Sequence, residues 1–192
     1  MVSGLAGAPG KGTSTEPDVI VLADMGSDGT PGGCRGDVAG TAAWSGAKEL
    51  RVGLDGTIET LSDGGQKNLG KADVLADFIS RSLKKYPADN TALFLWNHGN
   101  GWEGFGADET NDDDDGYGGY TFLTLPQLAD AVKRGLGALG GGGDSDVSDK
   151  KFDVLGFDAC LMLQMSVAST LLVPHAHYLL ASQELEPGHG WD

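Results

Sequence analysis

Two short stretches carry side chains able to do covalent chemistry. Asp158-Ala159-Cys160 closes the apolar run 152–157, and Asn97-His98-Gly99-Asn100-Gly101-Trp102 closes the run 92–96. A thiol is a poor nucleophile until it loses its proton, and a neighbouring imidazole or helix amino terminus lowers that cost. Both runs read as buried strands, so Cys160 and His98 fall at strand carboxyl ends, the edge where open α/β sheets bind ligands. Cys160 opens a further apolar segment, 161–172, expected as a helix that begins in the cysteine's own turn. His98 lies 160 − 98 = 62 residues upstream, one β-α-β crossover away. Gly99 leaves room for a substrate carbonyl, and its N–H with that of Cys160 makes a candidate oxyanion hole. The plain alternatives are an inert buried cysteine and a hydrogen-bonded loop histidine. Each explains one residue, but not why both end apolar strands inside glycine-flanked turns.

The remaining elements supply the frame. Residues 19–23 read as a buried parallel strand. Asp55-Gly56 between two strand-like stretches predicts a hairpin with a two-residue type I′ turn. Apolar residues at helical spacing predict one helix over 71–85, stopped by Pro87, and another through Leu125, Leu128, Ala129, Val132 and Leu136, with Thr124 as N-cap. A last strand covers 178–182. The order β, hairpin, α, β, α, β, α, β predicts an α/β fold with a mostly parallel sheet flanked by helices.

The chain has 192 residues and 40% hydrophobic content, enough for one core and one domain. Residues 1–17, rich in glycine and small polar side chains, are expected to be a flexible tail, with the folded domain at 18–192. A formal charge of −15 disfavours nucleic acid and anionic membrane surfaces and favours a basic peptide partner. Cys34 and Cys160 are too few for a disulfide framework and read as free thiols. No apolar run reaches the ~20 residues of a membrane span, and residues 1–17 have no apolar centre of the signal-peptide kind. The compartment is therefore left open, a secreted or cell-surface precursor being compatible with this reading.

His98-Gly99-Asn100-Gly101-Trp102 and Asp158-Ala159-Cys160-Leu161-Met162 resemble the paired motifs of the clostripain family of cysteine peptidases, within the caspase-like group. Tyr86-Pro87-Ala88, Leu123-Thr124-Leu125-Pro126 and Ser182-Gln183-Glu184-Leu185-Glu186-Pro187-Gly188 resemble further landmarks of that family in the right order. The resemblance implies a three-layer caspase-like fold and cleavage after arginine or lysine, with Cys160 as nucleophile and His98 as general acid/base. It also implies that the first strand and helix of the family fold are missing ahead of residue 19. It places Asp158 in the pocket for the basic side chain, where a carboxylate is a sound partner for guanidinium or ammonium. Asp158 as a cap of the following helix is the other reading. Glu184 and Glu186 are expected to add acidity to the pocket, Trp102 and Trp191 to wall the cleft. The family also implies self-cleavage after a basic residue between the histidine and the cysteine, for which Lys150 and Lys151 are the candidates. A catalytically inactive remnant that binds basic peptides is the alternative function.

No cofactor is needed for this chemistry and no metal site is assigned. Residues 111–116 resemble part of a calcium loop, but its twelfth position is Phe122 where glutamate is required, which leaves Ca²⁺ only as a nonstandard ligand. His175-Ala176-His177 is read as a solvent-facing pair, and Arg35-Gly36-Asp37 as a chance tripeptide.

Overall fold

The computed structural model describes residues 17–25, 44–108, 121–137, 150–188 and 190–191, and the main chain of 2–7. Its centre is a seven-stranded sheet in the order β4-β3-β2-β1-β5-β8-β9. The strands are β1 (Val2–Gly7), β2 (Asp18–Met25), β3 (Gly46–Val52), β4 (Ile58–Gly65), β5 (Thr91–Trp96), β8 (Phe152–Asp158) and β9 (Ala176–Leu180). A separate antiparallel pair, β6 (Phe105–Asp108) and β7 (Thr121–Leu123), lies in the β5-to-β8 connection. The pairs β5–β8 and β8–β9 are parallel; β1 and β3 run against their neighbours, so β2, β4, β5, β8 and β9 share one direction.

Three expectations change here. Residues 19–23, expected as a parallel strand, lie in β2, antiparallel to both of its neighbours. Residues 2–7 are not a free tail: they form β1, antiparallel to both β2 and β5, with Val2 opposite Ala23 and Trp96. An interior slot between two strands leaves main-chain donors and acceptors to satisfy on both sides, and the proline-free stretch 2–7 can meet them with its own main chain. The Asp55-Gly56 turn is a three-residue loop and not type I′. Gly56 N–H donates to Gly53 O at 3.0 Å and Gly53 N–H to Thr57 O at 2.8 Å. Only Gly56 has positive φ (80°), because Asp55 keeps an ordinary conformation in which its carboxylate accepts the Thr57 N–H and hydroxyl.

The core lies between the sheet and the helices. Along β5 and β8 the side chains alternate, so Leu93, Leu95, Leu155 and Phe157 join a buried cluster with Phe78, Ile79, Leu128 and Val132 of α1 (Ala72–Lys85) and α2 (Leu125–Gly137). Both helices are amphipathic as predicted. Thr124 caps α2 through a reciprocal box with Gln127: the Gln127 side chain accepts the Thr124 N–H at 3.0 Å, and Thr124 Oγ1 accepts the Gln127 N–H at 3.4 Å.

The helix after β8 departs from expectation. Residues 165–175, here α3, open as α-helix, widen to π geometry at Ala168–Leu172, and return to α-helix at Val173–His175. Pro174 has no N–H to give the preceding turn, which accounts for the widening. The helix starts at Met165, five residues after Cys160, and not at Leu161. His175, at its end, is half-buried rather than solvent-facing; burial, then Lys133 and Lys151, hold its pKa below the usual histidine value.

Candidate active site

Strand register puts the two reactive turns side by side. Trp96 of β5 pairs with Asp158 of β8 in parallel, and His98 and Cys160 each stand two residues beyond that pair. Neighbouring strands run about 4.8 Å apart, so the turns leave the sheet as neighbours. They also touch. A Cβ added at Gly99 would lie 2.1 Å from the Cys160 carbonyl oxygen and 2.8 Å from Met162 Cγ. The side-chain position at Gly99 is thus filled by the cysteine's own main chain. Gly99 is required because the two turns approach so closely.

The histidine turn is held by Asn97. Its Oδ1 accepts the N–H of His98 at 2.6 Å and of Ala107 at 3.1 Å, while Nδ2 donates to Ala107 O at 3.3 Å. Gly99 faces Phe105 across a bridge flanked by Gly106 N–H to His98 O (2.8 Å) and Asn100 N–H to Gly104 O (3.0 Å). In that pattern the Gly99 N–H itself takes no part in the bridge. The His98 side chain is exposed and Cys160 is half-buried, a free thiol.

The cysteine turn is sharp. Leu161 has φ of +62°, alone among the described non-glycine residues, and such a conformation costs on the order of 1–2 kcal/mol. The segment 182–186 holds it there. Leu161 N–H donates to Glu184 O at 3.0 Å and Leu163 N–H to Ser182 O at 2.8 Å. Cys160 Sγ accepts the Glu186 N–H at 3.2 Å. Since α3 begins only at Met165, its dipole falls off before reaching the sulfur, so the turn and not a helix end orients the thiol.

Asp158 is not a helix cap. Its Oδ2 accepts the Trp191 N–H at 2.9 Å, and its Oδ1 is buried with no hydrogen-bond partner. Glu184 is exposed and Glu186 half-buried; both meet the cysteine turn through their main chains. Trp191 lies at Asp158, whereas Trp102 is 69% exposed. Lys150 and Lys151 sit at the amino end of β8, the far edge of the sheet from Cys160, and Lys151 Nζ donates to Val173 O at 2.7 Å. Seven residues of strand separate them from the turn, about 23 Å. Residues 111–116, Cys34 and the 35–37 tripeptide lie outside the described residues.

Sequence reasoning missed Asn97 as a clamp, Leu161 as a strained position and Asp24. Asp24, at the carboxyl end of β2 on the same sheet edge, has both carboxylate oxygens buried. Its pKa is pushed up to about 6, first by burial and then by the Asp108 carboxylate. The place of Asn97 directly before His98, at the end of an apolar run, was a signal for the first; nothing in the sequence marks the other two.

An α/β sheet that sets a cysteine turn beside a histidine turn at its carboxyl edge is the arrangement of the caspase-like cysteine peptidases. The clostripain family profile matches residues 11–192, and the chain belongs to that family. Among solved structures it is similar to a secreted C11 cysteine protease from Bacteroides thetaiotaomicron in complex with an irreversible peptide inhibitor. The identity is 24%, the TM-score 0.59, and the match covers 75% of this chain and 37% of that one. An inactive zymogen C11 protease from Parabacteroides distasonis matches at 24% identity and TM-score 0.53, over 76% and 37% of the two chains. The chain therefore spans little more than a third of the length of these relatives, with which it shares the fold. No curated protein sequence matches it.

Proposed function

We propose that the protein is a cysteine endopeptidase that cleaves after arginine or lysine. The observation that carries this reading is the register of β5 and β8, which sets His98 and Cys160 equally far beyond a paired Trp96 and Asp158. Cys160 Sγ, its proton taken by His98, attacks the scissile carbonyl carbon, the Gly99 and Cys160 N–H groups receive the developing oxyanion, and His98 passes that proton to the departing amine as the C–N bond breaks. Water, deprotonated by His98, then attacks the thioester, releasing the acid and returning the thiol.

Asp158 reads the basic side chain. A buried carboxylate oxygen without a partner costs free energy that a guanidinium or ammonium would recover, and a neutral side chain would not. Glu184 and Glu186 add negative field on the same rim. Processing after Lys150 or Lys151 acts between molecules, since the folded chain cannot bring either residue to a cysteine at the opposite end of its own strand.

Fluorogenic amides with Arg, Lys or Asp before the scissile bond test the reading. Cleavage of the Arg and Lys amides, lost in Cys160→Ala, is expected. Cleavage that survives the substitution sinks the mechanism, and no cleavage by folded full-length protein leaves a binder of basic peptides.

A further inference from the structure

The specificity acid is shut away from solvent by the chain that follows it. Asp158 Oδ1 is fully buried and Oδ2 is taken by the Trp191 N–H. Gly190, buried at φ of +78°, presses its main chain onto the carboxylate: a Cβ there would lie 2.4 Å from Oδ2 and 2.8 Å from Trp96 Nε1. Only glycine permits so close an approach. The Trp191 ring meets Phe94 edge-on, with centroids 6.3 Å apart and planes at 86°. Phe94 in turn lies over its register partner Gly156, where an added Cβ would sit 2.2 Å from the ring. Asp158, Trp96, Phe94 and Gly156 share one sheet face, opposite the Leu93, Leu95, Leu155 and Phe157 side chains.

We propose that Trp191 is the gate of the Asp158 pocket. Its main-chain N–H occupies the carboxylate in the absence of substrate, its ring on Phe94 holds that N–H in place, and a basic side chain enters by displacing both. This rests on Asp158 being the specificity acid. The gate makes selectivity a competition: a cation replaces the N–H with a stronger, charge-assisted bond, whereas a neutral side chain would open the gate and leave the acid unpaired.

Calorimetric titration of the full chain carrying Cys160→Ala with agmatine, a guanidinium probe that cannot be cleaved, tests this. Trp191→Ala keeps the N–H and removes its anchor, so agmatine should bind about two- to tenfold tighter. Trp191→Phe keeps an edge contact and should stay close to the parent. Unchanged or weaker binding in Trp191→Ala overturns the gate and makes the N–H a fixed support of the carboxylate. Asp158→Asn separates the two layers of the argument: it should abolish agmatine binding with either residue at 191. Undiminished binding in Asp158→Asn would overturn the pocket itself.

Discussion

Gly99→Ala is the most direct probe of how the two reactive turns are held. The new Cβ would stand 2.1 Å from the Cys160 carbonyl oxygen and 2.8 Å from Met162 Cγ. That is short of van der Waals contact with the oxygen by about 1 Å or more. Neither obstacle is the free end of a surface side chain. One is main chain in a turn already strained at Leu161, the other belongs to the buried Met162. The turns must therefore part by about 1 Å, and displacements of that size between reacting groups cost about 10²-fold in rate. The assay is kcat/KM on an Arg amide beside a thermal melt. Gly56→Ala in the distant hairpin is the control: its φ of 80° strains any side chain, but nothing lies within 4 Å of the added carbon. It should lose about 1 kcal/mol of stability and no activity. If Gly99→Ala keeps kcat/KM within threefold, the contact between the turns does not set the dyad, and the reasoning from register to chemistry fails with it.

Three further outcomes follow from the same geometry. Asp24, with a folded pKa of about 6 against 3.8 unfolded, holds its proton longer in the native state, so its cost is absent below pH 4 and full above pH 6. The shift corresponds to about 3 kcal/mol, discounted to roughly 1–2 for a half-buried group, so Asp24→Asn should raise the melting temperature at pH 8 and not at pH 3.5; equal shifts at both would refute the assignment. Asn97→Ala removes the donors and acceptors that fix the His98 turn and should lower kcat about 10²-fold with little change in the melt, read by steady-state kinetics. Cys160→Ala protein should be cut after Lys150 or Lys151 when wild type is added, at a rate proportional to wild-type concentration, as gel analysis of the mixture would record; a cut confined to wild-type chains would contradict the far-edge placement of these lysines.

The parts of the fold that were legible are those where one physical signal dominates. The apolar periods of α1 and α2 and the Thr124 N-cap fix both helices. The apolar runs ending at Trp96 and Phe157 fix the strands that carry the site. What stayed hidden depends on distant partners. Residues 2–7 have no strand signature and become β1 because two neighbouring strands offer unsatisfied edges. Leu161 is an ordinary helix former, and its left-handed conformation is imposed by main-chain bonds from Ser182 and Glu184. Asp158 looks like an N-cap until Trp191, 33 residues later, claims one of its oxygens.

The pairing of Trp96 with Asp158 also limits how this site can vary. Strand register changes only in whole residues, so the offset between histidine and cysteine is a discrete setting and not a continuous one. A slip of one place in β8 would send Asp158 to the helix-covered side and bring Phe157 to the face that carries Trp96. Gradual tuning is therefore confined to what lies past the strand ends, in the Asn97 clamp, the Leu161 turn and the stretch from Ser182 to Trp191.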